Sequence, residues 1–148
     1  MGNHAAMNKL SAKEYLRQLR SLDVEIRVKL EECERVRGMA TRTGVSLSFD
    51  RVMSSNSSTS KIEDCVIKLV MLEEELHHDI AHLASIKSET LSMINKMEVS
   101  DYRTLLTLRY VTNITWEEIA VKMNFSYRHT LRMHGCALLD FENIYASE

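Results

Sequence analysis

The 148-residue chain contains no proline and four glycines, so almost nothing in it breaks a helix by ring geometry or by excess backbone freedom. Leu, Glu, Lys, Met and Arg are plentiful instead, and the expected fold is all-α. Cysteine is scarce. Cys33, Cys65 and Cys136 are far apart and each falls within a helical pattern, which excludes a disulfide framework or a metal-ligand spacing and predicts reduced core thiols. No apolar run approaches the roughly 18 residues that span a bilayer, and the start lacks the charged-then-apolar layout of a secretory signal. A cytoplasmic protein without a membrane partner is expected. Met1-Gly2 does not make a myristoylation signal, because Ala6 stands where Ser or Thr is required. Residues 1–9 are expected to form a flexible leader, with Met7 an equally suitable start. Also missing are a nucleophile, base and oxyanion set and a Gly-rich phosphate loop, so neither an enzyme nor a cofactor is expected.

Net charge is low, -2, but unevenly spread. Met1 to Ser60 carries 10 Lys/Arg against 7 Asp/Glu, Lys61 to Glu98 carries 4 against 8, and Val99 to Glu148 carries 5 against 6. Within the last segment, Ser126 to Gly135 holds Arg128, Arg132 and two histidines and no acid. Positive charge is thus focused on one short stretch. Phosphate neutralisation supplies much of DNA affinity, so a near-neutral reader calls for a homodimer or for docking on a DNA-bound partner.

Leu10 to Arg37 spaces Tyr15, Leu19, Leu22, Ile26, Leu30, Cys33 and Val36 by threes and fours, which predicts one amphipathic helix. Gly38 after Arg35 and Arg37 reads as its stop. A second stripe contains Ile62, Val66, Leu69, Leu72, Leu76, Ile80, Leu83, Leu91, Ile94 and Met97, with Ser60 and Glu63 as a capping box. The two predict a long helical hairpin over residues 10–98 with a 38–60 loop. In that loop Val45, Leu47 and Phe49 alternate with polar residues as an extended segment would, and Ser54 to Ser60 reads as flexible.

Residues 99–148 predict a three-helix helix-turn-helix domain. A helix over Asp101 to Val111 turns Leu105, Leu106, Leu108 and Tyr110 inward. From Ile114 to Leu139, Ala120 is the small residue where two backbones approach, Asn124 the turn residue tolerant of a left-handed conformation, and Ile119, Met123, Phe125 and Met133 the shared core. Thr130 sits at an inner position, its methyl inward and its hydroxyl back-bonding along the helix. Thr115 caps the first of the two helices and Ser126 the second. Trp116 and His134 are expected to pack. Tyr127, Arg128, His129, Leu131 and Arg132 then face outward beside Ser126. Arg reads guanine bidentately, Tyr and His bond phosphates or base edges, and Leu can lie on a thymine methyl; the alternatives are phosphate contact for either arginine and plain exposure for Leu131. His78 and His82 lie one turn apart near carboxylates, yet on the side of the helix away from Leu76 and Ile80, so a solvated face is expected there and no metal site.

The run from Tyr102 to Val111, then Thr115 to Ala120, then Ser126 to Leu138 resembles the fourth region of sigma factors. It is closer to the small ArpU-like and RinA-like late transcription regulators encoded by phages of Gram-positive bacteria. The resemblance implies a phage transcription regulator in a bacterial host, with double-stranded DNA as partner, RNA polymerase as a further one, and DNA contact through Ser126, Tyr127, Arg128, His129, Leu131 and Arg132. Asn124 in place of the usual Gly, and a less basic recognition helix, depart from the sigma pattern. Two other readings suit the same architecture: the DNA-recognition subunit of a phage packaging terminase, and a protein-interaction module.

Overall fold

The structure, a computed structural model, describes residues 10–49 and 57–148, with side chains over 10–42 and 60–148. The fold is all-α, and no strand occurs among the described residues. Its helices are α1 (Ala12–Phe49), α2 (Ser57–Asn95), α3 (Ser100–Leu106), α4 (Trp116–Met123) and α5 (Tyr127–Ala146), with a π-helical turn, Thr107–Val111, after α3. No helix among the described residues is long and apolar enough to cross a membrane. The leader expected at residues 1–9 lies outside the described residues.

The start of α1 is fixed by a capping box that the apolar pattern does not reveal. Ser11 Oγ accepts the Glu14 N–H at 3.3 Å while the Glu14 carboxylate accepts the Ser11 N–H at 3.0 Å. Those bonds to Ser11 hold the Glu14 carboxyl below the usual carboxylate range. Gly38 does not stop the helix. Its φ is not positive, the Arg42 Nε–H donates to its carbonyl at 3.3 Å, and α1 continues to Phe49. A lone helical Gly costs about 1 kcal/mol relative to Ala, too little to end a helix that no proline interrupts. Val45, Leu47 and Phe49 therefore belong to a helix, not to an extended segment. Likewise α2 begins at Ser57, so Ser60 is inside the helix and is not its cap. Residues 50–56, which hold part of the Ser-rich stretch, lie outside the described residues.

The chain divides into two compact units, one comprising the segment up to Asp23 with Leu83–Glu148 and the other Val24–His82. The boundary expected at residue 98 falls inside the first.

Within Val24–His82, α1 and α2 run antiparallel: Lys29 pairs with Asp79, and further along Arg37 pairs with Glu73 at 2.7 Å. The Lys29 hydrogen bond is the first cause lowering the Asp79 carboxyl. Ile26, Cys33, Val36 and Leu76 are buried between the helices. Leu30 and Ile80, expected in the inward stripes, are instead 43% and 45% exposed. At 100° per residue Leu30 lies about 40° round from Ile26, off the seam.

The other unit is built on the remaining ends of both long helices. Ala12, Leu16 and Leu19 of α1 and Leu83, Met93 and Ile94 of α2 are buried, as are Leu105, Leu106, Ile119, Met133, Ala137 and Phe141. Thr90, fully buried, donates its hydroxyl to the Ile86 carbonyl at 2.7 Å. Tyr15 stacks near Tyr145 with ring centroids 5.1 Å apart. The core beneath α4 and α5 thus extends well outside residues 99–148.

Candidate nucleic-acid interface

Local chemistry fixes both ends of α4. Thr115 is extended, its hydroxyl accepts the Glu118 N–H at 3.3 Å, and Glu118 returns the bond by accepting the Thr115 N–H at 2.8 Å. That backbone bond is the leading cause of the lowered Glu118 carboxyl, followed by the bond to the Thr115 side chain. At the other end Asn124 is left-handed, φ 56° and ψ 41°. Its N–H donates to the Val121 carbonyl at 3.2 Å and the Phe125 N–H to the Ala120 carbonyl at 3.0 Å, the paired bonds of a Schellman stop. Asparagine tolerates this backbone where a branched residue would not.

Ser126 then caps α5, its hydroxyl accepting the His129 N–H at 3.2 Å. Its carbonyl accepts both the Thr130 N–H at 2.9 Å and the Thr130 hydroxyl at 3.0 Å. Thr130 is completely buried with Met133 and Ala137 on the same side, so the opposite side of α5 faces outward. Tyr127, Arg128, His129, Leu131 and Arg132 are all exposed, as is Ser126. Among the described residues neither the Arg128 nor the Arg132 guanidinium has an ion-pair or hydrogen-bond partner. The first turns of α5 thus present two cations, a phenol, an imidazole and an isobutyl group, with no acid among them until Asp140.

Two residues behave otherwise than the sequence suggests. Phe125, expected in the core, is half-buried, and its ring meets the edge of His129 with centroids 4.9 Å apart. Met123 is likewise half-buried. The His129 imidazole therefore has an aromatic neighbour at the turn.

Behind this face, Trp116 packs edge-on against His134 at 4.6 Å, and the Arg109 guanidinium lies 4.2 Å from the centre of the Trp116 ring. His134 Nε2 and the Tyr110 hydroxyl share a hydrogen bond of 2.9 Å. Burial, with a smaller contribution from Lys13, pushes His134 down to about 4, so its ring is neutral at pH 7. The segment before α4 is held from a quarter that spacing does not point to. Asn113, left-handed at φ 63°, donates through Nδ2 to Asp23 at 2.9 Å, and the same carboxylate pairs with Lys87 at 3.1 Å. The signal available in the sequence was Asn itself, one of the few residues besides Gly that adopts a left-handed backbone.

His78 and His82 are exposed on α2, and among the described residues no group of three or more metal-binding side chains comes together.

The chain belongs to the family described as "Protein of unknown function (DUF1492)", which matches residues 45–141. That span reaches from the last turn of α1 to the buried Phe141 and takes in the whole of α2, α3 and α4. No curated protein matches the chain, and no solved structure does.

Proposed function

We propose that this protein is a sequence-specific DNA-binding regulator of phage transcription, with α4, its turn and α5 acting as a helix-turn-helix of the sigma region 4 kind. The observation that carries the reading is the outward face of α5, where Arg128 and Arg132 stand without internal partners above an inner row fixed by Thr130, Met133 and Ala137. A helix that enters a major groove reads base edges with such a face, and its start lies close to the phosphates. In this reading Arg128 and Arg132 read bases or grip phosphates, Tyr127 and His129 bond nearby acceptors, Leu131 touches a thymine methyl, and Ser126 holds the helix start.

The segment from Val99 to Glu148 has 5 Lys/Arg against 6 Asp/Glu, so one such reader has little excess charge for phosphate. Two readers in a homodimer, or a reader docked on RNA polymerase, supply the missing affinity. Selection of bound sequences from a random DNA pool tests the reading directly. A consensus that the wild type enriches, and that the Arg128→Ala, Arg132→Ala double variant fails to enrich, is the expected outcome. Each single change should weaken specific binding by ~1–3 kcal/mol if that arginine reads a base, and relax preference at one position. A phosphate contact would instead weaken all sequences alike and flatten the salt dependence. No enrichment by the wild type, or equal binding by the double variant, rejects the proposal.

A further inference from the structure

The first turns of α1 carry a row of cations that the core does not use. Ala12, Leu16 and Leu19 are buried, while Lys13, Arg17 and Arg20 follow one another in steps of four and three along a neighbouring side of the helix. Lys13 and Arg17 are exposed and Arg20 is half-buried. Among the described residues none of the three makes a hydrogen bond or an ion pair. The acids nearest to them on α1 are engaged elsewhere: Glu14 closes the cap on Ser11, and Asp23 holds Lys87 and Asn113.

Two contacts set this row beside α4 and α5. At one end Tyr15 meets Tyr145 of α5 with ring centroids 5.1 Å apart. At the other, Asp23, one turn past Arg20, accepts from Asn113 at 2.9 Å, two residues before the Thr115 cap of α4. The start of α1 therefore runs from the end of α5 to the start of α4. Its charges act across that contact: Lys13 adds to the lowering of His134, and Arg17 and Arg20 act on Tyr110, whose hydroxyl shares a hydrogen bond of 2.9 Å with His134. His134 lies about 60° round α5 from the exposed Leu131, at the rim of the outward face.

We infer that Lys13, Arg17 and Arg20 form a phosphate-gripping edge of the DNA interface, along which one strand of the duplex read by α5 passes. A helix seated in a major groove has a phosphate strand on either side, and the helix before it crosses the backbone, so a rim bordered by α1 and by the start of α4 meets phosphate. Charge selects the partner. Glu117 and Glu118 stand in the first turn of α4, and Val99 to Glu148 has 5 Lys/Arg against 6 Asp/Glu, so the reader alone offers phosphate no net attraction. Three unpaired cations on the rim supply one, and Lys13 to Arg20 covers about 10 Å of helix, long enough to meet more than one phosphate.

This rests on the DNA reading and adds to it a contact outside residues 99–148. The full chain is titrated, over a series of salt concentrations, with a duplex carrying the enriched consensus and with a scrambled duplex. Lys13→Gln with Arg17→Gln should weaken binding to both by about tenfold or more at about 0.1 M salt, lower the logarithmic salt slope by about two, and leave the selected consensus unchanged. Arg42→Gln with Lys61→Gln, exposed in the other unit, should leave the slope as it is. Circular dichroism checks every variant; if the loss of Arg17 beside Glu14 frays the helix, Lys13→Gln with Arg20→Gln replaces the first pair. An unchanged slope, or one lowered equally by the Arg42 and Lys61 changes, overturns the inference while the consensus stands, and a row that serves an acidic protein surface gives that same result. If no sequence is enriched but both duplexes bind with a slope that the α1 pair lowers, the phosphate edge stands and the sequence-specific reading falls. Binding to neither duplex rejects both.

Discussion

Thr130 sets the direction of α5 although its side chain is polar, because its hydroxyl finds the Ser126 carbonyl at 3.0 Å while the methyl is buried. Thr130→Val keeps the methyl and loses that bond, and should cost about 1 kcal/mol in a thermal melt. His134 makes stability depend on pH. Its folded value, about 4, lies below the ordinary imidazole value of 6.5, so between those limits the unfolded chain binds a proton that the folded chain does not. Stability is fully present above pH 6.5 and is lost as pH falls toward 4, on the order of 2 kcal/mol once partial exposure is discounted. Melts from pH 7 to 5 should show the decline, and His134→Phe should flatten it; the carboxylates lowered in the fold, Glu14 and Glu118 among them, contribute only at lower pH. An equal slope in both proteins would mean that His134 is not the titrating group. Gly135 offers a third test. A Cβ added there meets nothing within 4 Å, so nothing inside the chain asks for glycine, and Gly135→Ala should raise stability by about 0.5–1 kcal/mol. In the proposed DNA complex the bare backbone on this exposed side of α5 would leave clearance for a phosphate strand, so on that reading Gly135→Leu should weaken DNA binding while the protein stays folded.

At the level of elements, the turn between α4 and α5 was legible because its requirements are local. A left-handed position needs Gly or Asn, a cap needs Ser or Thr, and Thr115, Asn124 and Ser126 supply them in order. Asn124→Gly should change stability by only a few tenths of a kcal/mol, whereas Asn124→Val should cost about 1–3 kcal/mol by forcing a branched side chain into the left-handed region; thermal melts of the pair check this. Other elements depended on distant residues. Gly38 looked like a stop because it followed two arginines, but a Schellman stop needs a positive φ there, and Gly38 has none. Leu30 and Ile80 fitted an inward stripe, yet a two-helix seam is narrower than the apolar arc drawn by steps of three and four. The tie from Asn113 to Asp23 joins residues far apart in sequence, which no spacing rule detects. Leu76, a residue one would mutate on periodicity alone to break a dimer, is buried within the chain's own helix pair, so its replacement would unfold that pair instead.

For the whole molecule, the near balance of charge means that the proposed DNA binding would draw on number of contacts and not on field strength. The three thiols offer another kind of access to the molecule. Cys33 is buried in the Val24–His82 unit, Cys65 is half-buried there, and Cys136 is exposed on α5. A thiol reagent under native conditions will therefore mark Cys136 first, placing a fluorophore on the helix proposed to read DNA without any substitution, while Cys33 waits for the long helices to part. The lag between the two reactions is a clock for the spontaneous opening of the helix pair, wound by the chain's own cysteines and readable by mass spectrometry.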